Sequence, residues 1–234
     1  MNGYRFEEIV HAVSDINGNP IVAERSPDEP WYERREIAER EGHFYAPLVD
    51  FALEALGSGD GLSCLVVGSP LFEALELRLA GWEVGYLDIR KPPGGVRWHK
   101  GDAREMPFPE ASFDAVSSTC VMCHVGLGRY GDRVDPRGDF KMMVEVARVL
   151  KPGGRAVLGA GPAAQCRFTR RMGSMHRVYL PADLEAMAAH AGLEVLERRS
   201  WAQREVRWRH PGEALTADIQ MPDYFSMVLR KPEA

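Results

Sequence analysis

Long apolar runs, an excess of basic charge and cysteine-rich spacing are all missing from this 234-residue chain. No stretch approaches the ~20 apolar residues that a helix needs to cross a bilayer, so no membrane partner is expected. Met1–Val10 carries Arg5, Glu7 and Glu8 and lacks the apolar centre of an export signal; the expected location is the cytoplasm. With 29 Lys and Arg against 34 Asp and Glu, the formal charge is −5, whereas non-specific nucleic-acid binding rests on a basic surface. A DNA or RNA partner is therefore not expected. The basic runs Arg167–Arg171 and Arg204–Arg209 read as solvated faces, or as holders of a small acidic ligand. Four cysteines in a cytosolic chain read as thiols. Cys120-Val-Met-Cys-His124 spells a haem-attachment pattern, but it follows an apolar strand in a chain without an export signal. No second CxxC supplies further metal ligands, so neither haem nor metal is expected. The absence of GxGxxG argues against a dinucleotide dehydrogenase.

What is present is a regular alternation. His43–Leu56 sets Phe44, Leu48, Phe51, Leu53, Ala55 and Leu56 on one helical face. Gly57–Gly61 then breaks the chain. From Leu62 the pattern becomes strand, helix, strand: Leu62–Val67, Leu71–Ala80, Glu83–Asp88, Val96–Lys100, Phe113–Ser118, Phe140–Leu150, Arg155–Gly159 and Pro181–Ala191. Two strands without an intervening helix, Leu193–Ser200 and Tyr224–Arg230, close the chain. Strands alternating with helices of about ten residues imply a parallel sheet with right-handed crossovers, and the paired ending implies an antiparallel last strand. The expected organisation is an α/β domain over 61–234 preceded by a helical extension over 1–60, with Phe6–Val13 and Trp31–Arg40 as further helices.

Four segments resemble the class I S-adenosylmethionine (SAM) methyltransferase superfamily. They are Leu65-Val-Val-Gly-Ser69, Val84-Gly-Tyr-Leu-Asp88, the run Lys100-Gly-Asp-Ala103 with Met106–Pro109 and Ser112–Val116, and Val146–Gly154. The stretch His124–Asp132, with His176-Arg177 and Tyr224–Lys231, is similar to an uncharacterised branch of that superfamily. The resemblance implies a Rossmann-like seven-stranded sheet of order 3-2-1-4-5-7-6 with strand seven antiparallel, and SAM as cofactor.

In open α/β sheets ligands sit beyond the carboxyl ends of the strands. On that basis Gly68, Ser69, Asp88, Ile89, Asp102 and Ala103 are the expected cofactor contacts, Asp88 accepting from ribose hydroxyls and Asp102 from the adenine amine. The first loop departs from the family's acid-x-GxGxG pattern: Val66 stands in the acidic position, and Pro70 and Phe72 stand where later glycines belong. Glu73 is a candidate replacement for the acid. His124, Tyr130 and His176 are the candidate catalytic residues, His124 as a general base with an unperturbed pKa of about 6.5 or as a loop anchor. Arg129, Asp132 and Arg177 are the candidate substrate contacts. Gly126, Gly128 and Gly131 would allow close approach of their loop to a ligand. Trp31, Tyr32, His43, Phe44 and Tyr45 would wall a pocket or pack on the sheet, and Gln203–Asp223 would form a lid, a hairpin or an oligomer contact. Two functions follow. One is methyl transfer from SAM to a small molecule. The other is SAM-independent elimination or cyclisation on the same scaffold, or service as a non-catalytic subunit of a heteromeric enzyme.

Overall fold

Alternation along the first strand sorts its side chains into two layers. In β1 (Ser63–Val67), Cys64 and Val66 belong to one apolar cluster and Leu65 and Val67 to another, as expected for a strand covered on both faces. The computed structural model describes Trp31 and residues 34–36, 45–68, 70–163, 177, 179, 181–201 and 223–233. Ser69, His176, the Phe6–Val13 helix and residues 202–222 lie outside them.

The elements run α1 (Tyr45–Leu56), β1, α2 (Leu71–Leu79), β2 (Glu83–Asp88), β3 (Arg97–Lys100), β4 (Phe113–Thr119), α3 (Gly138–Val149), β5 (Leu150–Ala163), α4 (Pro181–His190), β6 (Glu194–Trp201) and β7 (Asp223–Arg230). The sheet order is β3-β2-β1-β4-β5-β7-β6, with β7 antiparallel to both neighbours. This is the expected Rossmann-like arrangement. The reversal between β1 and β4 opens a crevice at their carboxyl ends.

One helical layer is α1 and α2. Phe51 and Ala52 pack on Val157 and Val228, and Leu71, Ala74 and Leu77 pack on Cys64, Val66 and Tyr86. The helix Tyr45–Leu56 thus shares the core of the domain that follows it. The other layer is α3 and α4, where Met142, Met143, Val146, Leu184 and Met187 bury against Leu65, Val116, Leu158 and Met227.

Strand β5 is longer than its apolar run. Leu150 pairs with Phe113 before a register shift, and Gly153 N–H donates to Lys231 O at 2.9 Å. The Lys-Pro-Gly-Gly turn is therefore held between its two neighbouring strands. At the front of α2, Pro70 is the N-cap residue and makes no side-chain cap; Trp31 O takes the Leu71 N–H at 2.9 Å. The upstream segment is thereby tied to the mouth of the crevice.

Candidate active site

The carboxyl ends of β1, β2 and β4 and the loop after β3 form one cleft. Its walls include Trp31, Tyr45, Val67, Gly68 and Pro70 on one side and Asp88, Ile89, Arg90, Asp102 and Ala103 on another. Thr119, Cys120, Val121, His124, Tyr130 and Asp132 close it over β4. The structure thus gathers five expected cofactor residues, Gly68, Asp88, Ile89, Asp102 and Ala103, with His124, Tyr130 and Asp132 around one space.

Gly68 holds φ +58, a conformation that glycine adopts without penalty. A Cβ there would approach Val121 Cγ1 to 3.0 Å and Asp88 Oδ2 to 3.8 Å, narrowing the cleft beside that carboxylate. Asp88 Oδ1 accepts the Arg90 N–H at 2.7 Å, and the Arg90 guanidinium lies 3.4 Å from both carboxylate oxygens. Asp102 is held similarly: Oδ1 takes Arg104 N and Nε, each at 2.9 Å, and Oδ2 takes Nη2 at 2.5 Å. Burial pushes the Asp102 carboxyl up, but the Arg104 hydrogen bonds and the Arg104 and Arg133 charges outweigh it and hold it below the usual carboxylate value.

Two residues of the irregular first loop part company. Pro70 lines the cleft. Phe72 turns away from it, buried against Val49 with Tyr45 and Leu53 alongside and with the Arg35 guanidinium 5.5 Å from its ring centre. The phenyl ring therefore leaves the crevice open. Glu73 does not take over the missing acid's place at the cleft. It is fully buried and accepts the Ser117 hydroxyl at 2.5 Å, joining α2 to β4.

The loop after β4 begins under strain. Cys120 holds φ +57, uncommon for a residue with a Cβ, while its N–H donates to Gly159 O at 2.9 Å. Burial pushes the Cys120 thiol well up, so it stays protonated, and Cys123 Sγ turns back to Cys120 O at 3.4 Å. His124 and Tyr130 meet edge to face with ring centres 5.8 Å apart. Burial drives the Tyr130 phenol up to about 12. Arg129 Nη1 lies 3.4 Å from His124 Nδ1. A guanidinium has no acceptor, so in this contact Nδ1 is the acceptor and a neutral ring carries its proton on Nε2.

Two of the expected substrate contacts, Arg129 and Arg177, lie off the cleft wall. Arg129 is buried, behind His124 and Tyr130, and is not part of the cleft wall. Arg177 is also absent from the wall. Its guanidinium donates to Val125 O, Asp135 O and Pro136 O at 2.5, 3.3 and 3.4 Å and pairs with Asp139 at 3.4 Å. It is an internal staple for the 123–136 loop. Asp132 lines the cleft, but its Oδ2 accepts Gly126 N–H at 2.7 Å, and the neighbouring Arg133 O accepts from Arg104 at 2.5 Å. This places Asp132 toward the Asp102 end. Gly126 is needed for approach to the chain itself, since a Cβ there would lie 2.3 Å from Asp135 O.

Arg90 joins the cleft wall without a motif that marks it. Its guanidinium lies between the Trp31 ring at 4.3 Å and the Tyr130 ring at 4.4 Å. Its position two residues beyond Asp88 was the available signal, but nothing in the sequence brings Trp31 and Tyr130 to it.

Residues 55–158 match the family model of a methyltransferase domain. A protein of Encephalitozoon cuniculi that carries a methyltransferase designation is 29% identical over 177 residues, covering 74% of this chain and 73% of that one. Across three further curated relatives the chain spans 27 to 39% of their length. A Burkholderia thailandensis 1,6-didemethyltoxoflavin N1-methyltransferase, solved with its substrate and S-adenosylhomocysteine, superposes with a TM-score of 0.61 at 15% identity over 86% of this chain and 84% of that one. The [4+2]-cyclase SpnF gives 0.61 at 18% identity, over 97% and 93%. The two structural likenesses concern the fold, and equal scores for a methyltransferase and a cyclase leave chemistry to the site.

Proposed function

We propose that this protein transfers a methyl group from SAM to a small-molecule acceptor, a reading supported by the match of residues 55–158 to a methyltransferase-domain model and by the sheet order. The observation that carries the reading is the open cleft in which Gly68, Asp88, Ile89, Asp102 and Ala103 share one space while Phe72 faces the core. These residues fit the cofactor. Asp88 is the acceptor for the ribose hydroxyls and Asp102 for the adenine amine, with Ile89 and Ala103 as apolar neighbours and Gly68 leaving the room a Cβ would fill.

When bound, SAM supplies a methyl group activated by a sulfonium. The chain's own part is placement, and a well-oriented pair gains roughly 7–11 kcal/mol from proximity. His124, Tyr130 and the Cys120–Val121 turn form the acceptor wall. With Arg129 at Nδ1, His124 offers an Nε2–H donor, so we assign it to orienting the acceptor rather than to removing its proton. Its base role requires the opposite tautomer.

The test is calorimetric titration with S-adenosylhomocysteine. Micromolar binding is expected, and Asp88→Ala should abolish it; no heat at millimolar ligand would falsify the cofactor reading. That outcome promotes the second reading, SAM-independent elimination or cyclisation, or a non-catalytic role in a heteromeric enzyme. Pro70 favours it, because a proline on the cleft wall presents no N–H to a ligand.

A further inference from the structure

Charge in the cleft is unbalanced once a ribose takes Asp88. The Asp88 side chain is only 6% exposed, and the guanidinium of Arg90 lies against both its oxygens. Hydroxyl groups reach that carboxylate only as the guanidinium gives way. Stacking between Trp31 and Tyr130 holds the Arg90 head inside the cleft while its charge loses its partner. A buried or half-buried guanidinium needs an anion, and its planar fork matches a carboxylate.

The acceptor wall points the same way. With Nδ1 accepting from Arg129, His124 carries its proton on Nε2, and the Tyr130 phenol and Cys120 thiol stay protonated at neutral pH. None of these three groups removes a proton. An acceptor already ionised at neutral pH needs no proton removed by any of them.

We propose that Arg90 is the specificity residue for a small carboxylic acid, which this domain methylates on a carboxylate oxygen. The inference rests on the methyltransferase reading. A carboxylate lone pair forms the new oxygen–methyl bond. The methyl–sulfur bond breaks with its electron pair kept on sulfur, and no proton moves. The products are a methyl ester and S-adenosylhomocysteine. The same exchange at Asp88 makes binding ordered, cofactor before acid.

The experiment uses the full chain, saturated with S-adenosylhomocysteine and titrated calorimetrically with benzoate and octanoate, each against its neutral amide. At least one acid should bind ten-fold or more tighter than its amide, and more tightly with the nucleoside present than without it. Arg90→Gln should erase that preference while keeping or improving S-adenosylhomocysteine affinity, because the ribose no longer competes with a guanidinium. Equal binding of both acids and their amides, or a preference that survives Arg90→Gln, overturns the proposal with the cofactor reading intact. Failure of the wild-type chain to bind the nucleoside overturns both.

Discussion

Gly126 and Gly138 pack backbone against backbone: a Cβ on Gly138 would lie 2.8 Å from Gly126 Cα and 2.5 Å from Val125 O. This contact seats the His124 loop on the first turn of α3. Helix propensity alone favours alanine over glycine by about 1 kcal/mol. The steric term has the opposite sign, and overpacking against backbone costs about 1–3 kcal/mol. Gly138→Ala should therefore lower stability by up to about 2 kcal/mol, measured by urea unfolding, and weaken ligand binding through the displaced loop. A stabilised variant would mean that loop and helix separate freely.

Arg177, Asp139 and Tyr179 form a buried polar cluster under the same loop. Tyr179 donates to Asp139 Oδ2 at 2.9 Å, and Arg177 pairs with that oxygen at 3.4 Å. Removing one member of a buried pair leaves the other charge uncompensated, which costs about 3–5 kcal/mol, whereas losing one hydroxyl bond costs about 1 kcal/mol. Arg177→Met should be several-fold more damaging in unfolding free energy than Tyr179→Phe. Comparable losses would show that the guanidinium is not a staple.

The sheet was legible because its signals are local. The unbroken apolar run in Leu62–Val67, the glycines Gly57, Gly81 and Gly192 that follow helices and the acid at the end of Glu83–Asp88 each act within a few residues. The strand-end side of the cleft was legible for the same reason, since Asp88 ends a strand and Gly68 and Asp102 sit just beyond one. The acceptor side was not. Arg177 reads as a substrate contact beside a histidine until the fold places it under carbonyls of a loop 41 to 52 residues away. Phe72 reads as an obstruction because nothing in its spacing shows which side of α2 faces Val49. Arg90 depends on Trp31 and Tyr130, which approach from opposite sequence directions.

Asp114 provides a pH test of the sheet. Burial pushes its carboxyl up, but hydrogen bonds from Ser63 at 2.6 Å and Lys151 at 2.9 Å prevail and hold it below the usual value near 3.8. A depressed folded-state value means that its contribution is complete above the unfolded value and is lost as pH falls through the folded one. Wild type should exceed Asp114→Asn by about 1 kcal/mol at pH 7, and the gap should close below pH 4 in thermal or urea unfolding. A gap undiminished as pH falls from 7 to about 2 would show that the carboxylate's charge contributes nothing.

The contact between Arg129 and His124 sets the expectation for turnover. A general base contributes roughly 10²–10⁴-fold. An orienting N–H donor contributes about 0.5–1.5 kcal/mol, or up to about ten-fold. Once an acceptor acid is in hand, His124→Ala should reduce kcat/KM by no more than about ten-fold, and His124→Asn, which keeps an N–H donor, should recover part of the loss. Neither variant should remove a titration from the kcat/KM profile between pH 6 and 9, because the Tyr130 phenol titrates near 12 and the Cys120 thiol stays protonated. A loss beyond a hundred-fold, with disappearance of a limb near pH 6.5, would return the base role to His124 and require the Arg129 contact to break in the loaded enzyme.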